Sequence, residues 1–226
     1  WKQGEIVMQL VGVYGASGFG REVMPLCRDQ FIDDSSQFVF VDDGCDCETL
    51  NGAAVVTFND FLAITVEKKK IVVAIADSKI RKLLSEKCEA NNIEVVSVRA
   101  ANSVVMDNVE LGVGAVLSPF VTLTSNITIG RGFHANIYSY VAHDCIIGDY
   151  VTFAPGIMCN GNVVVEDGAY IGTGAVIKQG SLGRPVIIGQ GAIVGMGAVV
   201  TKSVSAGETV VGNPAKPLGR KGLGSK

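Results

Sequence analysis

The chain has 226 residues, of which 48% are hydrophobic, 7% aromatic and 18% charged, with a formal net charge of −3. An apolar share this high and a charged share below the usual ~25% exclude a disordered chain, and the slightly acidic balance carries no electrostatic footprint for nucleic acid. No apolar run reaches the ~18 residues of a membrane span, and 28 glycines with few aromatic rings point to a repetitive architecture packed from small side chains.

The first seven residues (WKQGEIV) lack the charged-then-apolar order of a secretory signal. Met8 reads as the natural start, and a soluble cytoplasmic protein is expected. Residues 10–14 (LVGVY) predict a buried strand, followed by Gly15-Ala16-Ser17-Gly18-Phe19-Gly20 and a helix over 21–28. A second strand at 38–41 ends in Asp42-Asp43, a third at 71–75 precedes a helix over 79–90, and a fourth covers 93–98. Strands alternating with helices predict a small open parallel α/β sheet. Its boundary falls near 99–103.

A glycine-rich turn between a first strand and a helix exposes backbone N–H groups at the positive end of that helix, which suits an anion. The glycines fall as G-x-x-G-x-G rather than the G-x-G-x-x-G of dinucleotide dehydrogenases. About ninety residues are also few for a full dinucleotide fold. Asp42 and Asp43 stand where acidic groups meet ribose or base edges, so a mononucleotide or nucleotide-sugar site is expected at the carboxyl ends of the strands. A tight turn without ligand is the alternative. Arg81, just inside the helix after the third strand, reads as a solvated helix residue.

From residue 105 a six-residue beat takes over. Every sixth position from Val105 through Leu111, Leu117, Leu123 and onward to Ile171 and Ile177 is apolar, thirteen in succession. Four residues after each, from Val109 and Ala115 to Ala175 and Ser181, the side chain is small or apolar. A helical period of 3.6 cannot generate this; a β-prone chain with a sixfold beat can. The beat breaks at Gly180-Ser181-Leu182-Gly183-Arg184-Pro185 and resumes at Ile188, Val194 and Val200, which reads as an excursion from one corner of a solenoid. Three hexads would close one triangular coil of a parallel β-helix, with coils stacked at the ~4.8 Å strand spacing. Periodicity does not supply the handedness.

Six cysteines are scattered, and Cys45 and Cys47 make only a C-x-C without a second pair at zinc-ribbon spacing. Ordinary buried or loop thiols are expected. Cys145 and Cys159 occupy inward slots and read as core filling, so transfer without an acyl-enzyme is expected. The only histidines are His134 and His143, on different faces of the repeat and short of the three-histidine zinc site that a β-helix can carry. No metal is expected. His143, two positions after Val141, points outward and is followed by Asp144, which suits a general base held by a carboxylate. Eighteen residues on stands Gly161, whose N–H could meet a developing oxyanion.

The hexads over 105–216 resemble the left-handed β-helix of hexapeptide-repeat acyltransferases. Nearly the whole chain resembles the PglD/NeuD-type bacterial sugar acetyltransferases, on Gly15-Ala16-Ser17-Gly18-Phe19-Gly20, Phe40-Val41-Asp42-Asp43, Ala74-Ile75-Ala76-Asp77-Ser78 with Ile80-Arg81, His143-Asp144-Cys145 and Val211-Gly212-Asn213-Pro214-Ala215-Lys216. The resemblance implies a Rossmann-like nucleotide-sugar domain (1–100), a left-handed β-helix (101–216) and a tail (217–226), assembled as a homotrimer with acetyl-CoA as co-substrate. It implies that His143 takes a proton from the sugar's 4-amino group, with Asp144 raising its basicity. Ser17, Gly18, Asp42, Asp43 and Ala76 would contact the nucleotide, and Gly161, Thr173 and the main chain around Met196 the cofactor. Phe19 stands where many members carry His, and Thr152 where some place a CoA-contacting His. They are counted with the substrate and cofactor sets.

The expected activity is N-acetylation of a nucleotide-linked 4-amino-4,6-dideoxy sugar for glycan or lipopolysaccharide building, and the excursion at 180–185 tilts the expectation towards the perosamine type. A sugar or sialic acid O-acetyltransferase is the rival, and a non-catalytic solenoid scaffold is the rival from another class.

Overall fold

A computed structural model describes residues 9–33 and 35–219. The start expected at Met8 and residues 220–226 of the tail lie outside the described residues. The chain divides into two compact units, one running to Ala101 and taking in Val113–Val116, the other containing Asn102–Gly112 and the chain from Leu117.

The first unit is built from β1 (Gln9–Tyr14), α1 (Gly18–Gln30), β2 (Ser36–Val41), β3 (Thr49–Leu50), β4 (Ala53–Val56), α2 (Phe58–Ala63), β5 (Lys68–Val73), α3 (Ser78–Ala90) and β6 (Glu94–Val95). The sheet order is β3-β4-β2-β1-β5-β6, parallel apart from the β3–β4 hairpin. Alternation along β1 sorts its side chains between two layers. Val11 and Val13 pack with Val23, Met24 and Cys27 of α1, while Leu10 and Tyr14 pack with Phe58, Phe61 and Cys88 on the other face. Burying each such aliphatic or aromatic side chain contributes about 1.5–3 kcal/mol, which is why the least polar strand lies at the centre.

Four sequence expectations shift. The third strand begins at Lys68 rather than 71, because Lys68 to Lys70 continue the ladder beside Gln9 to Val11. The fourth is interrupted, as β6 and a separate strand Val98–Arg99. The β3–β4 hairpin and α2 were not anticipated. Cys45 and Cys47, expected as free thiols, are joined in a disulfide, their Cα atoms 5.4 Å apart and so within bridging range; the other four cysteines are free and buried.

The second unit is a left-handed parallel β-helix. Its strands are two or three residues long, and apart from Lys216–Pro217, which pairs antiparallel with Thr209–Val211, they pair in parallel with the strand one coil away: Leu123 with Val141, Val141 with Cys159, Cys159 with Ile177. Inward positions therefore stack in columns, with Phe133 and Phe153 meeting edge to face at 5.2 Å. All three corners turn through the left-handed region. One row is Gly114, Gly132, Tyr150, Gly168, Gly191 and Gly207; a second is Phe120, Tyr138, Gly156, Gly174 and Gly197. The third is Asn108, Asn126, Asp144 and Asn162, with φ of 55°, 57°, 59° and 55°. Asn and Asp tolerate this region better than other side-chain-bearing residues.

Inward burial fails at the extremes of the beat. Leu111, in the first coil, is exposed, and Ser181 lies out in the excursion. The frame resumes with Ile188, Val194 and Val200 buried. Ser181 and Arg184 pair antiparallel at the base of the excursion, and Leu182 at its tip is 95% exposed. Its ends are tied to the coil below, Gly180 N donating to Gly161 O (2.9 Å) and Val186 N to Asn162 O (3.2 Å).

Candidate functional site

In the first unit, Gly15 and Gly20 are the glycines that the turn after β1 requires. Gly15 has φ of 112°, and a Cβ at Gly20 would run into the Gly15 carbonyl. Ser17 begins α1 through its carbonyl, which accepts from Arg21 N at 3.1 Å, and its side chain makes no cap. The first turn contains no acidic residue. The N–H groups around Ser17, Gly18 and Phe19 therefore sit at a positive helix end.

Both carboxylates after β2 are engaged by the protein itself. Asp42 Oδ2 accepts from Ala16 N (2.8 Å) and Oδ1 from Gly44 N (2.9 Å), tying the glycine-rich turn to the end of β2. Asp43 accepts from Phe58 N (2.8 Å), Tyr14 Oη (2.8 Å) and Lys87 Nζ (3.3 Å). Partial burial alone would raise the Asp43 pKa. The bonds from Phe58, Tyr14 and Lys87 outweigh it and hold the carboxyl below its ordinary range. Burial, then the Asp43 bond, pushes the Tyr14 phenol up. Lys87 also lies over the Phe58 ring, 4.1 Å from its centroid. Beside Asp42 a depression of about 400 Å³ is lined by Asp46, Glu48 and Asp60 as well, a surface that seeks donors such as hydroxyl and amino groups rather than phosphate.

Arg81 corrects its sequence reading. It is 1% exposed, not solvated. Its Nη1 donates to Ile75 O (2.7 Å) and Ala76 O (3.0 Å), so the guanidinium folds back and clamps the loop carrying Ala76. Tyr14, Lys87 and this use of Arg81 left no mark on the sequence, since each depends on which strand ends meet.

In the second unit, His143 stands outward at the corner that contains Asp144. Nδ1 lies 2.7 Å from Asp144 Oδ2, and the side chain is 49% exposed. With the carboxylate ionised, Nδ1 carries the proton and Nε2 the lone pair. The bond to His143 is the largest influence on Asp144 and holds its carboxyl below the usual range; a weaker bond from Asn126 Nδ2 (3.3 Å) adds to it. One coil on, the ring presses on Gly161, where a Cβ would stand 2.5 Å from Cε1 and 2.6 Å from Nε2. The Gly161 amide makes no hydrogen bond among the described residues. Beneath the corner Cys145 and Cys159 are buried inside the coil, with Cys145 Sγ 3.3 Å from Asn160 O.

Of the expected cofactor residues, Gly161 lies against His143 within one chain and the other three do not gather there. Thr173 and Met196 are exposed and belong to a different corner row, where Gly197 N donates to Thr173 O at 2.8 Å. Thr152 is buried within the chain, 6% exposed. Among the described residues no His, Cys, Asp and Glu side chains converge in a set that could hold a metal ion, and no helix is long and apolar enough to cross a membrane.

Residues 11–88 match the PglD N-terminal domain. The chain is 55% identical over 216 residues, 94% of its own length and 98% of the relative's, to GDP-perosamine N-acetyltransferase of Escherichia coli O157:H7. Among solved structures it is similar to WeeI from Acinetobacter baumannii AYE, with a TM-score of 0.91 at 59% identity, covering 93% of this chain and 100% of that one. It is also similar to PerB from Caulobacter crescentus in complex with CoA and GDP-perosamine, with a TM-score of 0.82 at 26% identity, covering 92% and 97%. An α/β unit bearing a glycine-rich turn, a β-helix of hexads and identity sustained over both place the chain in the PglD/NeuD-type family of bacterial sugar acetyltransferases, perosamine type.

Proposed function

We propose that the protein is an acetyl-CoA-dependent N-acetyltransferase acting on the 4-amino group of a nucleotide-linked 4-amino-4,6-dideoxy sugar, with GDP-perosamine as the acceptor to test first. The observation that carries this is the His143 pair: Nδ1 is taken up by Asp144 at 2.7 Å, which leaves Nε2, beside Gly161, as the proton acceptor. The amine nitrogen attacks the thioester carbonyl and passes a proton to Nε2. The oxyanion of the tetrahedral intermediate is met by the Gly161 N–H, a donor with no other partner among the described residues. Collapse breaks the C–S bond, and the departing thiolate takes the proton from the imidazolium, which restores the base. Because Cys145 and Cys159 are buried, transfer is direct, without an acyl-cysteine.

The acceptor's nucleotide is assigned to the first unit, with phosphate oxygens at the N–H groups of Ser17, Gly18 and Phe19 and the donor-bearing base or sugar near Asp42, Asp43 and Ala76. The 55% identity to a GDP-perosamine enzyme supports guanine over other bases. Thr173 and Met196 stand on another corner of the triangle than His143. A cleft formed with a neighbouring copy brings two different corners together, which is the reason to expect a homotrimer with shared sites. Dependence on sugar nucleotides and acetyl-CoA supports a cytoplasmic location.

His143→Asn tests the reading. kcat with GDP-perosamine is expected to fall by about 10²–10⁴-fold with the oligomeric state unchanged; undiminished turnover overturns it. A GDP-sugar with a 4-hydroxyl in place of the amine separates N- from O-transfer, and faster acetylation of the hydroxyl compound would favour the O-acetyltransferase.

A further inference from the structure

The corner that presents His143 contains a ladder of side chains running up the solenoid. Asn108, Asn126, Asp144 and Asn162 follow one another at eighteen-residue intervals, all in the left-handed region. Asn108 Nδ2 donates to Asn126 Oδ1 at 3.2 Å, and Asn126 Nδ2 donates to Asp144 Oδ1 at 3.3 Å. The other oxygen, Asp144 Oδ2, faces His143 Nδ1 at 2.7 Å. The two oxygens of one carboxylate are thus divided between the imidazole and the coil below. A carboxylate only accepts, so Asn126 must turn its NH2 towards Asp144, and its own oxygen is left to receive Asn108.

We propose that Asn126 is a positioning residue for the His143–Asp144 pair: held by Asn108 from one coil below, its amide fixes the rotation of the Asp144 carboxylate, which orients the imidazole. The inference rests on His143 being the base. Backbone conformation alone would be met at position 126 by Gly or Asp as well as Asn. Of these three only Asn supplies a side-chain donor, and the residue above is the only carboxylate in the row. Around the ring the charged partner is Asp144. The thiols Cys145 and Cys159 lie on its interior side, uncharged Gly161 and Asn162 are above, and Asp107 stands two coils below at the position equivalent to His143. An acid at position 126 would therefore bring a second negative charge against Asp144.

The test measures kcat, KM and the pH dependence of kcat for Asn126→Gly, Asn126→Asp and, in parallel, His143→Asn. Asn126→Gly keeps the left-handed turn and removes only the amide; kcat is expected to fall about 3–10-fold, as for the loss of one hydrogen bond, with both KM values unchanged. Asn126→Asp adds charge beside the pair, and the acid limb of kcat is expected to move up by about 0.5–1 pH unit, because a nearby negative charge favours the imidazolium. A fold defect would lower kcat without moving that limb. If Asn126→Gly turns over within twofold of the parent and the Asn126→Asp profile superimposes on it, the positioning role is overturned while the loss in His143→Asn leaves the base in place. Full activity in His143→Asn overturns both.

Discussion

The His143 imidazole lies so close to Gly161 that a single added carbon on Gly161 would stand 2.6 Å from Nε2, the nitrogen left free by Asp144. The glycine is therefore dictated by the ring one coil below it and not by its own backbone, which stays outside the left-handed region. Gly161→Ala is expected to displace the imidazole while leaving the coil closed. Steady-state kinetics should show kcat down by about 10–100-fold, as expected when a reacting group is moved by about 1 Å, with Tm nearly unchanged. A variant with full activity would show that the ring does not work from this position.

Asp43 makes the stability of the first unit depend on pH. Its carboxyl is held below the ordinary range by Phe58, Tyr14 and Lys87. A depressed folded-state pKa contributes stability that is complete above the unfolded value of about 3.9 and is lost as pH falls through the folded value. Asp43→Asn removes the titration and the ion pair. At pH 7 it is expected to cost on the order of 1 kcal/mol, discounted for a side chain half open to water. Urea midpoints of parent and variant should converge as pH falls below about 4, through the depressed folded-state value. A gap that stayed constant down to pH 2 would rule out the carboxylate as its source.

Arg81 illustrates a different dependence. Its charge is buried and spent on two loop carbonyls, Ile75 O and Ala76 O. Arg81→Ala opens a cavity and strips both acceptors of this donor, which predicts a loss of about 2–4 kcal/mol in denaturant unfolding of the first unit. Because the same loop carries Ala76, KM for the sugar nucleotide should rise more than KM for acetyl-CoA. Equal changes in the two would separate the clamp from the nucleotide.

How far the sequence could be read follows from what each feature depends on. The hexads are legible because an inward position repeats every sixth residue whatever its neighbours are, and Leu117 to Ile177 all turn inward. Leu111 breaks the pattern, since the first coil has too little covering it. Asp42 and Asp43 were rightly placed at the end of a strand, yet their bonds to Ala16 and Phe58 depend on loops brought together from distant parts of the chain. The spacing of Asn108, Asn126 and Asp144 was visible throughout. Only stacking at one strand spacing per coil turns it into a hydrogen-bonded series. Arg81 misled because helical position alone suggested solvent, while its long side chain reaches back over the preceding loop.

The thiols supply a test independent of catalysis. Cys27, Cys88, Cys145 and Cys159 are buried, and burial pushes the thiols of Cys27 and Cys88 up to about 12. Thiol reagents must reach a thiolate; burial denies them access to all four, Cys145 included although its bond with Cys159 holds its pKa down, so none should react quickly at pH 8 in the folded protein. Cys45 and Cys47 are partly exposed but bonded to each other. The native protein is therefore expected to show no fast-reacting thiol with an aromatic disulfide reagent. After mild reduction and removal of the reductant, two should appear, and mass spectrometry should place both labels on the segment between β2 and β3. Two fast thiols before any reduction would mean that the C-x-C is open in solution, whereas four or more afterwards would mean that the buried set is not protected by the fold.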